Sequence, residues 1–433
     1  MPHTLSLTDG TTTVSLTTSG IALTNYTPNT PKNGAAITEP IRVLFYGDTT
    51  ADMQGKINAI ERLFSIAERR LMSGAGARVF LQFQPIGDAT NWRSEVLSGT
   101  VMLDKDALTA FGQAKLEAEI VVVRAPYWEG ARTQIPLTNP NGTNNTAGLT
   151  INNGSTNYAD IGAASVVGAL PAPLEVRLRN TSGASRGYRG FHIATNTFAQ
   201  TVDHHIEGEE RTNGRPTLAV TGASGGSVVV VENTTPIDIA FTLPAAMLSA
   251  YTGRWARLLV RCTSLYGGGQ TLYGWAQVYD NTGFSPIYRT PAITLSNTQI
   301  MQDFGMIPLP PGGANGGNWA AMTLRLWFKG GATLSVGVDY LAFAPAEDRF
   351  YRYFVQRGMV VLNNDWLVDD GIEGQQYLIE AGANHPIYAT MTPPAYVVPA
   401  TNQRLYVWQE GSGVRADWTM QVQAFYRPRR STL

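Results

Sequence analysis

Charge is scarce in this sequence: Asp, Glu, Lys and Arg make up 15% of 433 residues, where a globular domain usually carries about a quarter. The 32 basic and 33 acidic residues leave a formal net charge of −1, so no global field draws the chain to nucleic acid or to an anionic membrane. Cysteine is nearly absent. Cys262 alone excludes an intrachain disulfide framework. Alternation in Leu258-Leu259-Val260-Arg261-Cys262 puts the thiol on one strand face with Leu258 and Val260, where it is expected as a small buried hydrophobe. No apolar run approaches the length of a membrane span, and none is expected. Met1-Pro2-His3-Thr4 is not a basic segment followed by an apolar one, so secretion by an obvious signal is not expected. Asn-x-Ser/Thr triplets, as at Asn141 and Asn180, then read as Asn/Thr-rich turns.

Signatures of chemistry are also missing. There is no phosphate-cradling Gly-x-x-x-x-Gly-Lys-Ser/Thr, and Gly225-Gly226 and Gly316-Gly317 lack a following helical pattern, so they make turns. No nucleophile elbow stands between a strand and a helix. Asp369-Asp370 cannot be given glycosidase geometry from spacing. The densest reactive cluster is Asp203-His204-His205-Ile206-Glu207-Gly208-Glu209-Glu210, whose imidazoles and carboxylates suit zinc or iron. Adjacent His204 and His205 point to opposite strand faces, however, and at most one joins a shared site. A polar loop offset by Arg211 and Arg215 is expected instead. No catalytic residue, metal ligand or cofactor site emerges, and the chain is not expected to be an enzyme.

What is abundant is Gly, Thr, Asn, Ser and Pro between short alternating runs, the composition of a mostly β protein. Residues 4 to 47 read as hairpins, as in Thr12 to Leu16 and Ile41 to Phe45. The period then changes: Met53, Ile57, Ile60, Phe64, Ala67 and Leu71 predict an amphipathic helix over 51–72. Thr49 with Asp52 resembles a capping box, Arg69 and Arg70 suit the C-terminal end, and Gly74 can take the left-handed stop. Strands resume at Val79, Trp92 and Ala118. The domains read as 1–130, a β-sandwich with that helix; 131–157, an Asn/Thr/Gly-rich linker; 158–350, a jelly-roll-like sandwich; and 351–433, further β structure that is separate or completes a sandwich. Tyr266, Tyr273, Trp275, Tyr279, Trp319 and Trp327 fall in the middle region. Trp327 is expected in the core, whereas Trp275, with Tyr273, is the candidate glycan contact because aromatic faces stack on sugars. Arg427, Arg429 and Arg430 read as a solvated basic tail.

From residue 41 the chain runs through a strand ending in Gly47-Asp48-Thr49, the helix, Val79-Phe80-Leu81 and Trp92-Arg93-Ser94 to a last strand into Arg124-Ala125-Pro126-Tyr127-Trp128-Glu129-Gly130. In this pattern residues 41–128 resemble the N-terminal domain of the distal tail proteins of long-tailed bacteriophages. The resemblance implies a virion protein of the tail tip or baseplate whose first domain forms a homo-oligomeric, hexameric ring around the tail channel. Tail tube, hub and fibre proteins are the implied partners, and the middle sandwich becomes an outward galectin-like or carbohydrate-binding-module-like domain open to host surface glycans. Residues 158–433 are larger than a minimal outer domain of that kind. The competing expectation is a carbohydrate-binding adhesin or tail fibre component.

Overall fold

The computed structural model describes the chain except residues 1–2, 32–33, 75, 104–114, 144–145, 153–155, 197–204, 221, 233–235, 251–252, 281–284, 297–300, 310–321, 346–350, 388–393 and 412–418, and except the side chains at 188–190, 249–250, 345, 351–359 and 410–411. The chain is mostly β with one long helix, and it divides into two compact units. The first comprises Met1–Thr133, Gly168–Pro171 and Arg427–Leu433; the second comprises Gln134–Val167 and Ala172–Tyr426.

The first unit is built on a nine-stranded antiparallel sheet. Ile37–Tyr46 illustrates why: its residues alternate, so Ile37, Ile41, Val43 and Phe45 turn inward while Thr38, Pro40 and Arg42 face out. Glu39 shares the inward face and is tolerated there because it is paired. Its Oε1 lies 2.6 Å from Arg124 Nη2, with both side chains fully buried, and Tyr26 Oη donates to its Oε2 at 2.6 Å. The Arg124 guanidinium in turn sits 4.3 Å over the Trp128 ring.

The helix runs Thr50–Ser73. Thr49 Oγ1 accepts the Asp52 N–H at 3.1 Å, and Gly74 closes the other end at φ 68°, with its N–H on Arg70 O at 2.7 Å. Met53, Ile57, Ile60, Leu63, Phe64 and Ala67 are buried against the sheet, the larger five each worth about 1.5–3 kcal/mol if fully transferred from water. Leu71 departs from the expected stripe. It is 62% exposed and Met72 83%; Leu63 joins the packed face instead.

Arg427–Leu433 is not a solvated tail. Arg429–Arg430 pairs antiparallel with Trp128–Glu129, Arg429 Nη2 lies 2.6 Å from the buried Glu129 Oε1, and the Arg430 guanidinium sits 4.4 Å over Trp92. A carboxylate as buried as Glu129 needs a cation, and these residues supply one.

The second unit holds two sandwiches. In one, a six-stranded sheet that includes Tyr158–Ile161, Arg186–Asn196, Tyr351–Val361 and Gln403–Gly411 faces a seven-stranded sheet that includes Glu175–Asn180, Trp366–Asp370 and Met420–Tyr426. The stretch expected as a linker contributes Leu137–Asn139 and Leu149–Ile151 to these sheets, with Leu137 and Ile151 fully buried in the core. The described residues of 158–167, 172–196 and 351–426 thus belong to one sandwich, and the middle sandwich is built from the strands between His205 and Pro345. Which strands pair is a long-range choice that local alternation does not encode. The middle sandwich packs a six-stranded sheet, centred on Arg254–Gly267 and Leu334–Pro345, against a five-stranded one, Ile237–Thr242, Thr323–Lys329, Tyr273–Tyr279 and Pro286–Arg289 with Ile293–Thr294 alongside. Leu259, Tyr340, Ala342 and Ala344 on its larger sheet meet Ala194, Tyr406 and Trp408 of the first sandwich. No helix among the described residues is long and apolar enough to cross a membrane.

Candidate functional site

The five-stranded sheet of the middle sandwich has two unlike faces. In Thr323–Lys329, Leu324, Leu326 and Phe328 enter the core, and in Tyr273–Tyr279, Ala276 and Val278 do the same. Gly274 completes that inner row, since a Cβ there would come within 2.9 Å of Leu295 and Phe304. The alternate residues are turned outward by the pleat. Register then fixes three rows: Lys329 beside Tyr273; Asp238, Trp327 and Trp275; and Arg325, Gln277 and Arg289.

Trp275 and Trp327 face each other across the two strands with ring planes 3° apart and centroids 6.1 Å apart. Trp327 is therefore not the core residue its apolar neighbours suggested; it is half-buried on the opposite face, because Leu324, Leu326 and Phe328 carry the inward phase. The Arg289 guanidinium lies 4.8 Å over the Trp275 ring and that of Arg325 4.7 Å over Tyr279. Both indole N–H groups are shielded and have no acceptor among the described residues. Tyr273 is 42% exposed beside them, so the sequence-derived pair Trp275 and Tyr273 does share one face. Tyr279 belongs to that face too, but it is nearly covered, with its hydroxyl donating to Gln277 Oε1 at 2.8 Å. Tyr266 lies on the other sheet of the sandwich, and Trp319 lies outside the described residues. Alternation was the signal that could have placed Trp327. Nothing local announced Trp255, 46% exposed and edge-on to Tyr288 at 5.3 Å.

The His/Glu cluster takes a different form. Asp203 and His204 lie outside the described residues, while His205–Glu207 is a strand paired with Leu334–Pro345. His205 Nε2 lies 2.7 Å from Glu207 Oε1, Ser224 Oγ donates to the same oxygen at 2.6 Å, and the imidazole stacks on Tyr340 at 4.4 Å. Arg261 and Asp339 form a buried pair beside them. Burial opposes ionisation of Glu207, but the His205 and Ser224 hydrogen bonds and the Arg261 charge outweigh it and hold the carboxyl below its ordinary range. Burial pushes Asp339 up to about 7 even against the Arg261 guanidinium. The cations named from sequence do other things: Arg211 Nη1 donates to Glu209 O at 2.7 Å, and Arg215 pairs with Asp238. Among the described residues no group of His, Cys, Asp and Glu is arranged to hold a metal ion. Cys262 is 2% exposed in the core, and burial pushes its thiol up.

No protein-family model matches the chain, and no curated protein matches it. Among solved structures, it is similar to a chain of the phage P2 baseplate in its activated conformation with Ca, at 8% identity and a TM-score of 0.26 over all of both chains. It is also similar to a glycoside hydrolase family 43 arabinoxylan arabinofuranohydrolase from Bacillus subtilis, at 12% identity and a TM-score of 0.23 over 77% of this chain and 56% of that one. An exo-β-1,3-galactanase from Phanerochaete chrysosporium follows at 10% identity and a TM-score of 0.21, over 71% of this chain and 82% of that one. Likeness at these scores is too slight to carry a function across.

Proposed function

We propose that the chain is a non-catalytic structural subunit of a phage tail tip or baseplate whose middle sandwich contacts host surface saccharides. The observation that carries the saccharide contact is the parallel Trp275 and Trp327 pair, with Tyr273 beside it, on a sheet face turned away from the sandwich core of the described residues. Indole and phenol rings offer flat apolar surface to the C–H faces of sugars at little entropic cost. On a glycan array the full chain is expected to bind a defined set of saccharides, and Trp275→Ala to lose that binding with an unchanged circular dichroism spectrum. Binding that survives Trp275→Ala would remove this face from the account.

Assembly is assigned to the first unit, as a ring joining the tail tube to tail-tip and receptor-binding proteins. The resemblance of residues 41–128 to distal tail proteins supports this reading, together with Met102 and Leu103, 55% and 39% exposed. They line an open groove of about 710 Å³ with Arg42, Glu117 and Glu119. Apolar side chains rimmed by opposite charges suit a subunit contact better than free surface. Electron microscopy of the purified chain should then show closed rings, sixfold on the family precedent. A strictly monomeric protein at high concentration would count against assembly while leaving an adhesin that binds saccharide alone.

A further inference from the structure

The outward face that bears Trp275 is as basic as it is aromatic, although the chain as a whole carries a formal net charge of −1. Arg215, Arg289, Arg325 and Lys329 are gathered there, and Asp238 is the one carboxylate in the rows they form. Asp238 is already shared. Its Oδ1 lies 3.0 Å from Arg215 Nη2 and its Oδ2 3.5 Å from Arg325 Nη1, so the face holds one carboxylate between two guanidinium groups. Arg289 and Lys329 are exposed, and among the described residues neither has a carboxylate within ion-pair distance. Arg325, Gln277 and Arg289 stand on three adjacent strands, a span of two strand spacings, roughly 10 Å. The shielded Trp275 and Trp327 N–H groups beside them have no acceptor among the described residues. Guanidinium forks match carboxylates in plane and spacing, and aromatic rings between them accept a sugar ring.

We propose that this face selects a carboxylated saccharide, with Trp275 and Tyr273 stacking on sugar rings while Arg289 and Lys329 bind the carboxylates. The inference rests on the saccharide reading above and adds the charge of the ligand to it. Its test uses the full chain in affinity electrophoresis and calorimetry with polygalacturonate, dextran, dextran sulfate and short duplex DNA, at low and high salt. Polygalacturonate is expected to bind about tenfold more tightly than dextran, and that margin should shrink as salt rises. The Arg289→Gln/Lys329→Gln variant should lose the margin and keep dextran binding, whereas Trp275→Ala should weaken both. Equal affinity for dextran and polygalacturonate, or a margin that survives the double variant, overturns the charge selection and leaves the saccharide reading standing. Dextran sulfate or DNA bound as tightly as polygalacturonate and indifferent to Trp275→Ala reduces the face to a plain polyanion surface and also overturns it. Failure of the wild-type chain to bind any of the saccharides sinks both readings.

Discussion

Asp339 and Arg261 are both essentially buried side chains, and removing two charges from water costs several kcal/mol each before their attraction returns any of it. That balance has a pH signature. Asp339 titrates from an ordinary 3.8 to about 7 in the folded chain, so between those values the folded state binds more protons than the unfolded one. Stability attributable to this group therefore falls as pH rises through that window, by at most ~1.4 kcal/mol per pH unit. Glu207, held low, works in the opposite sense but below its ordinary 4.5. Glu209 and Asp370, both raised by burial, add slope of the same sign as Asp339, so the difference between two proteins is what isolates it. Urea unfolding at pH 5 to 7 should give a flatter pH profile for Asp339→Asn than for wild type, because an amide cannot take up the proton that the raised carboxyl binds in the folded chain. An unchanged profile would mean Asp339 is ionised throughout. Cys262 was legible as a core residue because its strand alternates cleanly. Arg261, one position earlier, was not, because the same alternation sends it to the opposite face, and only tertiary packing shows that this face is covered as well.

Helix and sheet meet at a close approach in the first unit. A Cβ on Gly99 would lie 2.5–2.7 Å from the ring of Phe64, and Phe64 is 2% exposed with little room to withdraw. Gly99→Ala should therefore destabilise the first unit by about 1–3 kcal/mol through overpacking. In the Phe64→Leu background the same substitution should cost clearly less, with a coupling energy of about 0.5 kcal/mol or more in a denaturant double-mutant cycle. Strict additivity would show that the two elements do not press on each other at this point. The helix itself was readable to within a residue of each end, since period, cap and left-handed glycine all point the same way. Its partner was not readable, because Gly99 signals only backbone freedom until the ring above it is seen. For Trp327 the period-two pattern was present and still misread: three apolar neighbours suggested a core, when alternation alone assigns Leu324, Leu326 and Phe328 to one face and Trp327 to the other.

On the scale of the whole molecule, the chain order and the compact units do not coincide. Composition marked 131–157 as a linker, but its short strands add to sheets whose other members lie near residues 160 and 420, pairings no local window contains. The same non-locality brings Arg427–Leu433 into the first unit. There Arg429 satisfies Glu129, which is 2% exposed, and Arg427 Nη1 donates to Gly130 O at 2.9 Å. Arg93, the second cation near Glu129, is 3.4 Å away and cannot replace the two Arg429 bonds of 3.0 and 2.6 Å. Deleting Arg427–Leu433 leaves a carboxylate short of its main partner and exposes an edge of the Trp128–Glu129 strand, two costs that fall on the first unit. Scanning calorimetry of the shortened chain should show the transition of the first unit lowered by several degrees and that of the second little changed. Ring assembly, if it is a property of the first unit, should weaken in step. Arg429→Lys makes the finer test: it keeps the charge but not the fork, and should recover part of the loss, whereas Arg429→Gln should recover almost none. Equal behaviour of Lys and Gln at this position would show that strand pairing, not the Glu129 carboxylate, is what the segment contributes.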